Sequence, residues 1–481
     1  MNTTKETNSN EVKRGLKARH LNMIAMGGAI GTGIFVALGD TIHQAGPGGA
    51  LVAYACIGVM VYFLMTSLGE MATFMPVSGS FETYASKFVD ESLGFALGWN
   101  YWYNWAITVA AEMVAGGLTM KFWFKGVPPA IWSIGFLVLI VALNLLSVKA
   151  YGESEYWFAG IKVATVIIFL VVGAATIVGI LGGHAVGFKN FTIKDAPFVG
   201  GVKSIFMIFL IAGFSFQGTE LVGIAAGESE NPKKTVPKAI NTIFWRILIF
   251  YLGTIFVVSA IIPYTEAGVG TSPFTLVFQK VGIAIAASIM NAVILTSVLS
   301  CGNSGMYASS RMLYAMAKEG KAPKALGKLN KRGVPVNALA LTTLVASACF
   351  LTGIYAQSTV YVWLVAASGL AGFIAWAGIA VCHYRFRKAY VAQGHDLNKL
   401  IYKAKLFPIG PIIALVLCTV VILGQGLTYF QADKIDWGGV ISSYIGLPLF
   451  IILWAGYKIK HKTKVVNIHE IDLNVNTKDS E

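Results

Sequence analysis

Three ionisable side chains, Glu112, Lys162 and Glu220, lie inside long apolar stretches of the sequence. Charged groups are unfavourable in hydrocarbon, so those that occur there usually serve a function or are paired. Burial favours the neutral form of a lysine, which makes Lys162 a candidate for proton coupling; the alternative is a permanently charged lysine paired with an acid. Glu112 could meet a cationic substrate, titrate, or be structural. Glu220 is a candidate for substrate binding and for proton coupling.

Two glycine-rich segments interrupt two of the apolar stretches, at residues 27–33 (GGAIGTG) and 213–220 (GFSFQGTE). Each glycine disfavours a helix by about 1 kcal/mol relative to alanine. Backbone groups left unpaired in a membrane must line a cavity or meet a ligand; the alternative is close helix packing through small residues. The substrate-binding candidates are Gly28, Ala29, Ile30, Gly31, Thr32, Gly33, Glu112, Phe214, Ser215, Phe216, Gln217, Thr219 and Glu220.

The ends of the interrupted helices predict what binds there. The outer half of the first helix begins near Gly31, and the N–H groups of a helix N-terminus attract an anion such as a carboxylate. The C-terminal ends of the other half-helices offer free carbonyl groups, which suit an ammonium group. This combination predicts a zwitterionic amino acid as the ligand.

The composition indicates that most of the chain lies in lipid. Of its 481 residues, 56% are hydrophobic and 12% are charged, and the mean hydropathy is +0.67; a soluble protein usually has about 25% charged residues. Stretches long enough to cross about 30 Å of hydrocarbon predict an all-α membrane protein with twelve transmembrane helices. The predicted spans are residues 20–41, 47–74, 94–124, 128–148, 153–181, 202–228, 236–262, 280–310, 335–353, 358–382, 408–426 and 439–457.

The basic residues set the expected topology. Of the 37 Lys and Arg residues, about three quarters fall on one side of the predicted spans, roughly four times as many as on the other side, which places both termini in the cytoplasm. The net charge of +14 then reflects topology and contact with lipid headgroups, not nucleic-acid binding. We expect a cytoplasmic tail at 1–19, helix sets at 20–181 and 202–382, two more helices within 408–457, and a cytoplasmic tail at 458–481. The polar residues 1–19 and 460–481 are expected to be disordered.

The two interrupted spans, the first and the sixth, occupy corresponding positions in two sets of five helices. Because five is odd, the second set enters the membrane from the opposite side, which gives a 5+5 inverted repeat. Interrupted helices at matching positions of inverted halves are the best sequence indication of a transporter binding site. The alternative from another class is a membrane amino-acid receptor or sensor.

Signals for enzymatic or metal chemistry are absent from the sequence. It contains no HExxH, CxxC, Walker-type or GxSxG motif. The seven histidines fall at span ends, in loops or in tails, and the five cysteines fall in apolar runs as packing residues. We therefore expect no enzyme, no cofactor and no metal site, and transport driven by ion gradients.

The sequence resembles the bacterial amino acid permeases of the amino acid–polyamine–organocation superfamily. The stretches that carry the resemblance are residues 16–20, 27–35, 95–102, 213–220, 227–232, 303–307 and 393–396. The resemblance implies a LeuT-like fold with helices 1 and 6 broken. It also implies import of L-lysine with protons across the cytoplasmic membrane of a bacterium, with histidine or another cationic or aromatic amino acid as the alternative substrate.

The resemblance also implies roles for particular residues. The backbone of residues 28–33 would hold the substrate carboxylate, carbonyl groups around residues 214–217 would hold the α-amine, and Lys162 would couple protons in place of a sodium ion. Glu112 and Glu220 match carboxylates of the members that carry lysine. A regulatory membrane-protein partner is a further option, but the loop at 263–273 departs from the family pattern: it is short, with Glu266 as its one acid.

Overall fold

The computed structural model describes residues 17, 19–20, 23, 30–77, 79–146, 148–227, 229–268, 272–282, 284–430 and 435–473. Within these ranges the protein consists of helices joined by turns and short connections, so the all-α prediction is confirmed. In chain order the α-helices are α1 (Leu38–Phe74), α2 (Phe81–Phe88), α3 (Glu91–Met120), α4 (Pro129–Asn144), α5 (Val148–Ile177), α6 (Gly201–Met207), α7 (Phe209–Phe216), α8 (Leu221–Ala226), α9 (Pro232–Asn241), α10 (Ile243–Arg246), α11 (Thr254–Ile261), α12 (Pro273–Lys280), α13 (Ala284–Lys318), α14 (Val336–Ala346), α15 (Gln357–Ala392), α16 (Ile409–Gly424), α17 (Leu427–Phe430), α18 (Trp437–Tyr444) and α19 (Gly446–His461).

Several of these helices are long and apolar enough to cross a membrane. In the part of the chain that the structure describes, seven helical runs meet that test, and an eighth is added if α18 and α19, which are bent by 42°, form one span. The seven runs are Gly33–Phe74, Tyr151–Ile177, Gly201–Ala226, Pro232–Ile261, Ile285–Lys318, Val336–Gly353 and Gln357–Ala392. The protein is therefore a multi-pass membrane protein.

Helix α1 contains the boundary that the sequence predicts between its first two spans. Gly46 has a φ of 73° and a ψ of 172°, so the helix breaks there, directly before Pro47. A positive φ is unfavourable for residues with a side chain. A Cβ at Gly46 would also approach the Pro197 carbonyl oxygen to 2.7 Å. The break lets residues 47–74 run in a different direction from the residues before them.

Both glycine-rich segments depart from a regular α-helix in their described residues. Ile30 and Gly31 are not helical, and Gly33–Ala37 form a π-helical turn that leads into α1. In the second segment, α7 ends where Gln217 adopts a ψ of 145° and Gly218 a φ of +96°. The helix resumes only at Leu221.

Helix α3 is buried along most of its 30 residues and packs against both α13 and α15. It begins at Asp90, whose side chain accepts a hydrogen bond from the Ser92 backbone N–H at 2.9 Å, as an N-cap should. Asn100, Asn104, Thr108 and Glu112 give its buried surface a polar side. The helix therefore presents polar groups to the centre of the bundle.

The segment after α19 packs in a defined position against the helices, so the prediction of disorder from residue 460 is wrong for the part described, which ends at residue 473. The Val466 N–H donates to the Val89 carbonyl oxygen at 2.9 Å. The Gln393 amide donates to the Ile471 carbonyl oxygen at 2.8 Å. Ile471 is only 2% exposed. Single apolar residues between the charged ones pack against the helices, and the overall polarity of the segment does not reveal this.

A buried ion pair joins α2 to the connection after α13. The Lys321 ammonium lies 2.5 Å from a Glu82 carboxylate oxygen, and the two side chains are 5% and 0% exposed. Lys321 also contacts Glu319 and donates to the Ser86 hydroxyl at 2.7 Å. Burial raises the pKa of Glu82 to about 7; the Lys321 ammonium opposes this effect, and the charge of Glu319 adds to it.

Replacing Lys321 by methionine is expected to destabilise the protein by about 3–5 kcal/mol, because it leaves a buried carboxyl without its cation. A pKa raised above the unfolded value means that the carboxyl contributes stability at low pH that is lost as the pH rises. The loss in the variant should therefore be larger at pH 8 than at pH 6. The measurement is the thermal unfolding midpoint in detergent.

The control is Lys324→Met, the same change at an exposed lysine of the same connection. Adding Glu82→Gln to Lys321→Met should recover most of the stability and remove the added pH dependence. Equal destabilisation by the Lys321 and Lys324 variants would contradict this account.

Candidate functional site

A small cavity of about 10 Å³ lies at the centre of the bundle, where the two glycine-rich segments meet α3 and α13. It is lined by Gly31, Thr32, Gly33, Trp105, Thr108, Glu112, Phe214, Ser215, Gln217 and Cys301. Six of these ten lining residues are predicted substrate-binding residues from the two glycine-rich segments, and Glu112 is a seventh. Folding thus brings the two segments to one site although they lie far apart in the sequence.

The two segments touch at Gly33 and Ser215. A Cβ placed on Gly33 would lie 2.3 Å from the Cα of Ser215, so only glycine fits at this approach. Ser215 is held from the other side: its hydroxyl lies 2.9 Å from the Tyr54 hydroxyl, and its carbonyl oxygen accepts a hydrogen bond from the Tyr251 hydroxyl at 2.8 Å. The contact is close and fixed from both sides.

Glu112 presents a carboxylate oxygen to the cavity. Its Oε1 accepts a hydrogen bond from the Thr32 hydroxyl at 2.9 Å. Its Oε2 is buried and has no hydrogen-bond partner among the described residues, and the whole residue is 1% exposed. A buried polar group without a partner is strongly unfavourable. The arrangement fits a ligand that brings a hydrogen-bond donor or a positive charge.

Lys162 lies deep in α5 and is 1% exposed. It interacts electrostatically with Glu155, Cys301 and Glu112, of which Glu155 has the largest effect. Lys162 therefore connects electrostatically to the carboxylate of the central cavity.

Glu155 is a residue that the sequence analysis missed. It is 2% exposed, and its two oxygens accept hydrogen bonds from Ser300 at 2.7 Å and Asn303 at 2.8 Å. It precedes Lys162 by two helical turns, which places both side chains on one face of α5. This spacing in the sequence could have identified Glu155 as a neighbour of Lys162.

Glu220 lies outside the lining of the central cavity. It accepts hydrogen bonds from the Tyr101 hydroxyl at 3.2 Å, the Trp376 indole N–H at 3.3 Å and the Gly218 N–H at 3.1 Å. It is 1% exposed. Its carboxylate thus stabilises the non-helical turn between α7 and α8 and ties that turn to α3 and α15.

The remaining predicted residues lie around the cavity in different ways. The Ile30 carbonyl oxygen accepts a hydrogen bond from the Ser297 hydroxyl at 2.8 Å. The Thr219 hydroxyl donates a hydrogen bond to the Phe216 carbonyl oxygen at 2.9 Å. The centroids of the Phe216 and Tyr251 rings are 4.0 Å apart. None of these three predicted residues lines the cavity. Gly28 and Ala29 lie outside the described residues.

Three lining residues were not predicted from the sequence: Trp105, Thr108 and Cys301. Thr108 and Trp105 lie one and two helical turns before Glu112 on α3, so the helical period could have grouped them with it. Cys301 carries no comparable signal, since it looks like any cysteine of an apolar run.

Polar groups buried between two interrupted helices of a multi-pass membrane protein are typical of a transporter binding site. The sequence profile of the amino acid permease family matches residues 20–470, and the chain belongs to this family. This agrees with the predicted absence of enzymatic activity at the level of the family.

Individual relatives extend over nearly the whole chain. The chain is 56% identical to the lysine-specific permease LysP of Escherichia coli (strain K12), over 99% of both chains. It is 55% identical to LysP of Lactococcus lactis subsp. cremoris (strain MG1363), over 98% of this chain and 95% of the relative. It is 50% identical to the histidine permease HisP of the same Lactococcus strain, over 97% and 99%.

Proposed function

We propose that the protein imports L-lysine together with protons across the cytoplasmic membrane of a bacterium. The observation that carries the proposal is the buried, unpartnered oxygen of Glu112 in the cavity between the two interrupted helices. A substrate with a cationic side chain satisfies that oxygen. The lysine-specific relatives, at 55–56% identity over nearly their whole length, support the same substrate.

In the proposed binding mode, the two interrupted segments hold the amino-acid headgroup. The backbone N–H groups around Gly31 and Gly33 face the substrate carboxylate, as the sequence predicts for residues 28–33. The carbonyl groups at the end of α7 face the α-amine. The Ser215 and Phe216 carbonyl oxygens already accept hydrogen bonds from Tyr251 and Thr219, and a carbonyl oxygen has two lone pairs, so the Ser215 oxygen can accept another. The ε-ammonium of lysine then reaches Glu112.

We assign proton coupling to Lys162. Its burial and its interaction with Glu155 and Glu112 mean that its charge state and the charge of the cavity depend on each other. Each positive charge moved inward across 100 mV gains about 2.3 kcal/mol. Lysine with one proton therefore gains about 4.6 kcal/mol, which supports about three decades of accumulation.

The transport cycle that we propose is alternating access between two inverted five-helix sets, 20–181 and 202–382, within a fold of twelve spans with both termini in the cytoplasm. In this cycle the two sets contact each other at Gly33 and Ser215. Rocking of one set against the other exposes the central cavity to one side at a time.

Purified protein in proteoliposomes is expected to accumulate radiolabelled L-lysine when an inside-negative potential and an inward proton gradient are imposed. Collapse of both gradients should stop accumulation but leave exchange of internal for external lysine. Binding without accumulation would instead favour the receptor or sensor, and chemical change of lysine would favour an enzyme.

Histidine is the second candidate substrate, because the histidine permease HisP is 50% identical to the chain. Competition in the same vesicles separates the two. With lysine as the substrate, unlabelled L-lysine should inhibit uptake at concentrations at least about tenfold lower than L-histidine, L-arginine or L-ornithine. Stronger inhibition by L-histidine would move the assignment to a histidine permease.

A further inference from the structure

A second and larger cavity lies on the side of the bundle that the predicted topology assigns to the exterior. Its volume is about 260 Å³, against about 10 Å³ for the central cavity. Its walls come from the first turns of α1 and from α6, α7, α15, α17 and α18. None of its lining residues belongs to the central cavity.

Asp40 supplies a carboxylate to this cavity. One of its oxygens accepts a hydrogen bond from the Gln44 amide at 2.6 Å. Among the described residues no Lys or Arg forms an ion pair with it. The nearby His43 ring interacts electrostatically with Asp40, and its Nδ1 lies 2.9 Å from the Tyr264 carbonyl oxygen. The cavity therefore has an acid at its wall, and none of the residues that line it is basic.

Two further polar groups in the cavity wall are buried, and one of them has no partner. The Gln425 amide N–H donates to the Ser443 carbonyl oxygen at 2.6 Å, but Gln425 Oε1 has no partner among the described residues, although the residue is only 8% exposed. Tyr361 is 3% exposed, and its hydroxyl interacts with the Thr32 side chain. Buried groups of this kind normally have a partner.

The rest of the cavity wall is mostly apolar. Leu210 and Ile211 of α7 face it from one side, and Val362 and Val365 of α15 from another. A wall with an aliphatic surface and a carboxylate matches a ligand with an aliphatic chain that ends in a cation. This is the chemistry of a basic amino-acid side chain.

Tyr361 separates this cavity from the central one. Its side chain lines the outer cavity, while its hydroxyl lies beside Thr32, which lines the central cavity and bonds to Glu112. A change in the position of the Tyr361 ring would join the two spaces. The outer cavity is thus one side chain away from the central site.

We propose that the outer cavity is an entry site that captures a cationic amino acid before it reaches the central cavity. Asp40 and Gln425 Oε1 receive the side-chain ammonium, the aliphatic stem lies on Leu210, Ile211 and Val365, and Tyr361 is the barrier to the central cavity. This inference rests on the proposed import of lysine and adds a second binding step to it.

The test is the kinetics of L-lysine uptake by the full-length Asp40→Asn variant in proteoliposomes. Loss of a hydrogen bond to a charged group corresponds to about tenfold or more in affinity. The KM for lysine should therefore rise about tenfold, while the maximal rate stays within about twofold of the unmodified protein. Glu266→Gln, which removes the same charge from an exposed predicted outer loop, should leave KM unchanged.

A second variant, Val365→Trp, fills the apolar part of the cavity without altering Asp40, and it decides the question if Asp40→Asn does not fold. It should raise KM by a similar factor. An unchanged KM in the folded variants, or a lower maximal rate at unchanged KM, would overturn the entry site. Absence of lysine uptake by the unmodified protein would instead overturn the proposed function, so the two failures are distinguishable.

Discussion

Replacing Lys162 by alanine is expected to lower proton-driven accumulation of lysine by at least about a hundredfold. The variant removes the ammonium that balances Glu155 and influences Glu112, and an uncompensated charge at such a site is worth about 3–5 kcal/mol. Exchange of internal for external lysine should survive, because it needs the central cavity but no proton. The measurement is the pair of rates, accumulation and exchange, in the same proteoliposomes.

Two further variants separate coupling from stability. Lys203→Ala makes the same change at an exposed position in α6 and should alter neither rate. Adding Glu155→Gln to Lys162→Met removes both buried charges and should restore the unfolding temperature without restoring accumulation. Undiminished accumulation in Lys162→Ala would remove Lys162 from the coupling mechanism, and an equal loss of both rates would make its role structural.

Replacing Gly33 by alanine is expected to reduce lysine uptake and exchange alike by at least about a hundredfold. The new Cβ would lie 2.3 Å from Ser215 Cα and 2.7 Å from Ser215 Oγ, so the two interrupted segments must move apart. Such overpacking typically destabilises a protein by about 1–3 kcal/mol. Here it also displaces the groups proposed to hold the headgroup. Initial uptake rates and lysine binding in detergent are the measurements.

Gly135→Ala is the matched control, since a Cβ on that residue of α4 meets nothing within 4 Å. It should leave uptake unchanged. Ser215→Ala should fail to rescue Gly33→Ala, because the shortest contact is with the Cα of residue 215 and not with its hydroxyl. Normal transport by Gly33→Ala would show that the close approach of the two segments is not needed for function.

The parts of the site that the sequence revealed are those with a local signature. Gly31, Gly33 and Gln217 belong to segments whose glycines are improbable in a membrane helix, and Glu112 is a carboxyl group in an apolar stretch. All four line the central cavity. Each such residue violates the rules for a lipid-embedded helix, so it is visible without knowledge of its neighbours.

Features that depend on long-range packing could not be predicted in this way. The electrostatic contact between Lys162 and Glu112 and the position of Cys301 depend on how α5 and α13 pack beside the first interrupted segment. Glu220, like Glu112, is a carboxyl group within an apolar stretch. Unlike Glu112, it accepts hydrogen bonds from three donors, which belong to α3, α15 and its own turn. Hydropathy counts apolar residues, but it does not show which face of a helix meets which partner.

The ordered segment that follows α19 has a mechanical consequence. Its Val466 is bonded to the residue after α2, and Arg385 of α15 donates to the carbonyl oxygens of both Phe88 and Val466. The side-chain amide of Gln393, directly after α15, donates hydrogen bonds to the Ile468 and Ile471 carbonyl oxygens of the same segment. This segment therefore links α2 to α15. The two helices cannot separate at that end unless the hydrogen bonds of the segment break.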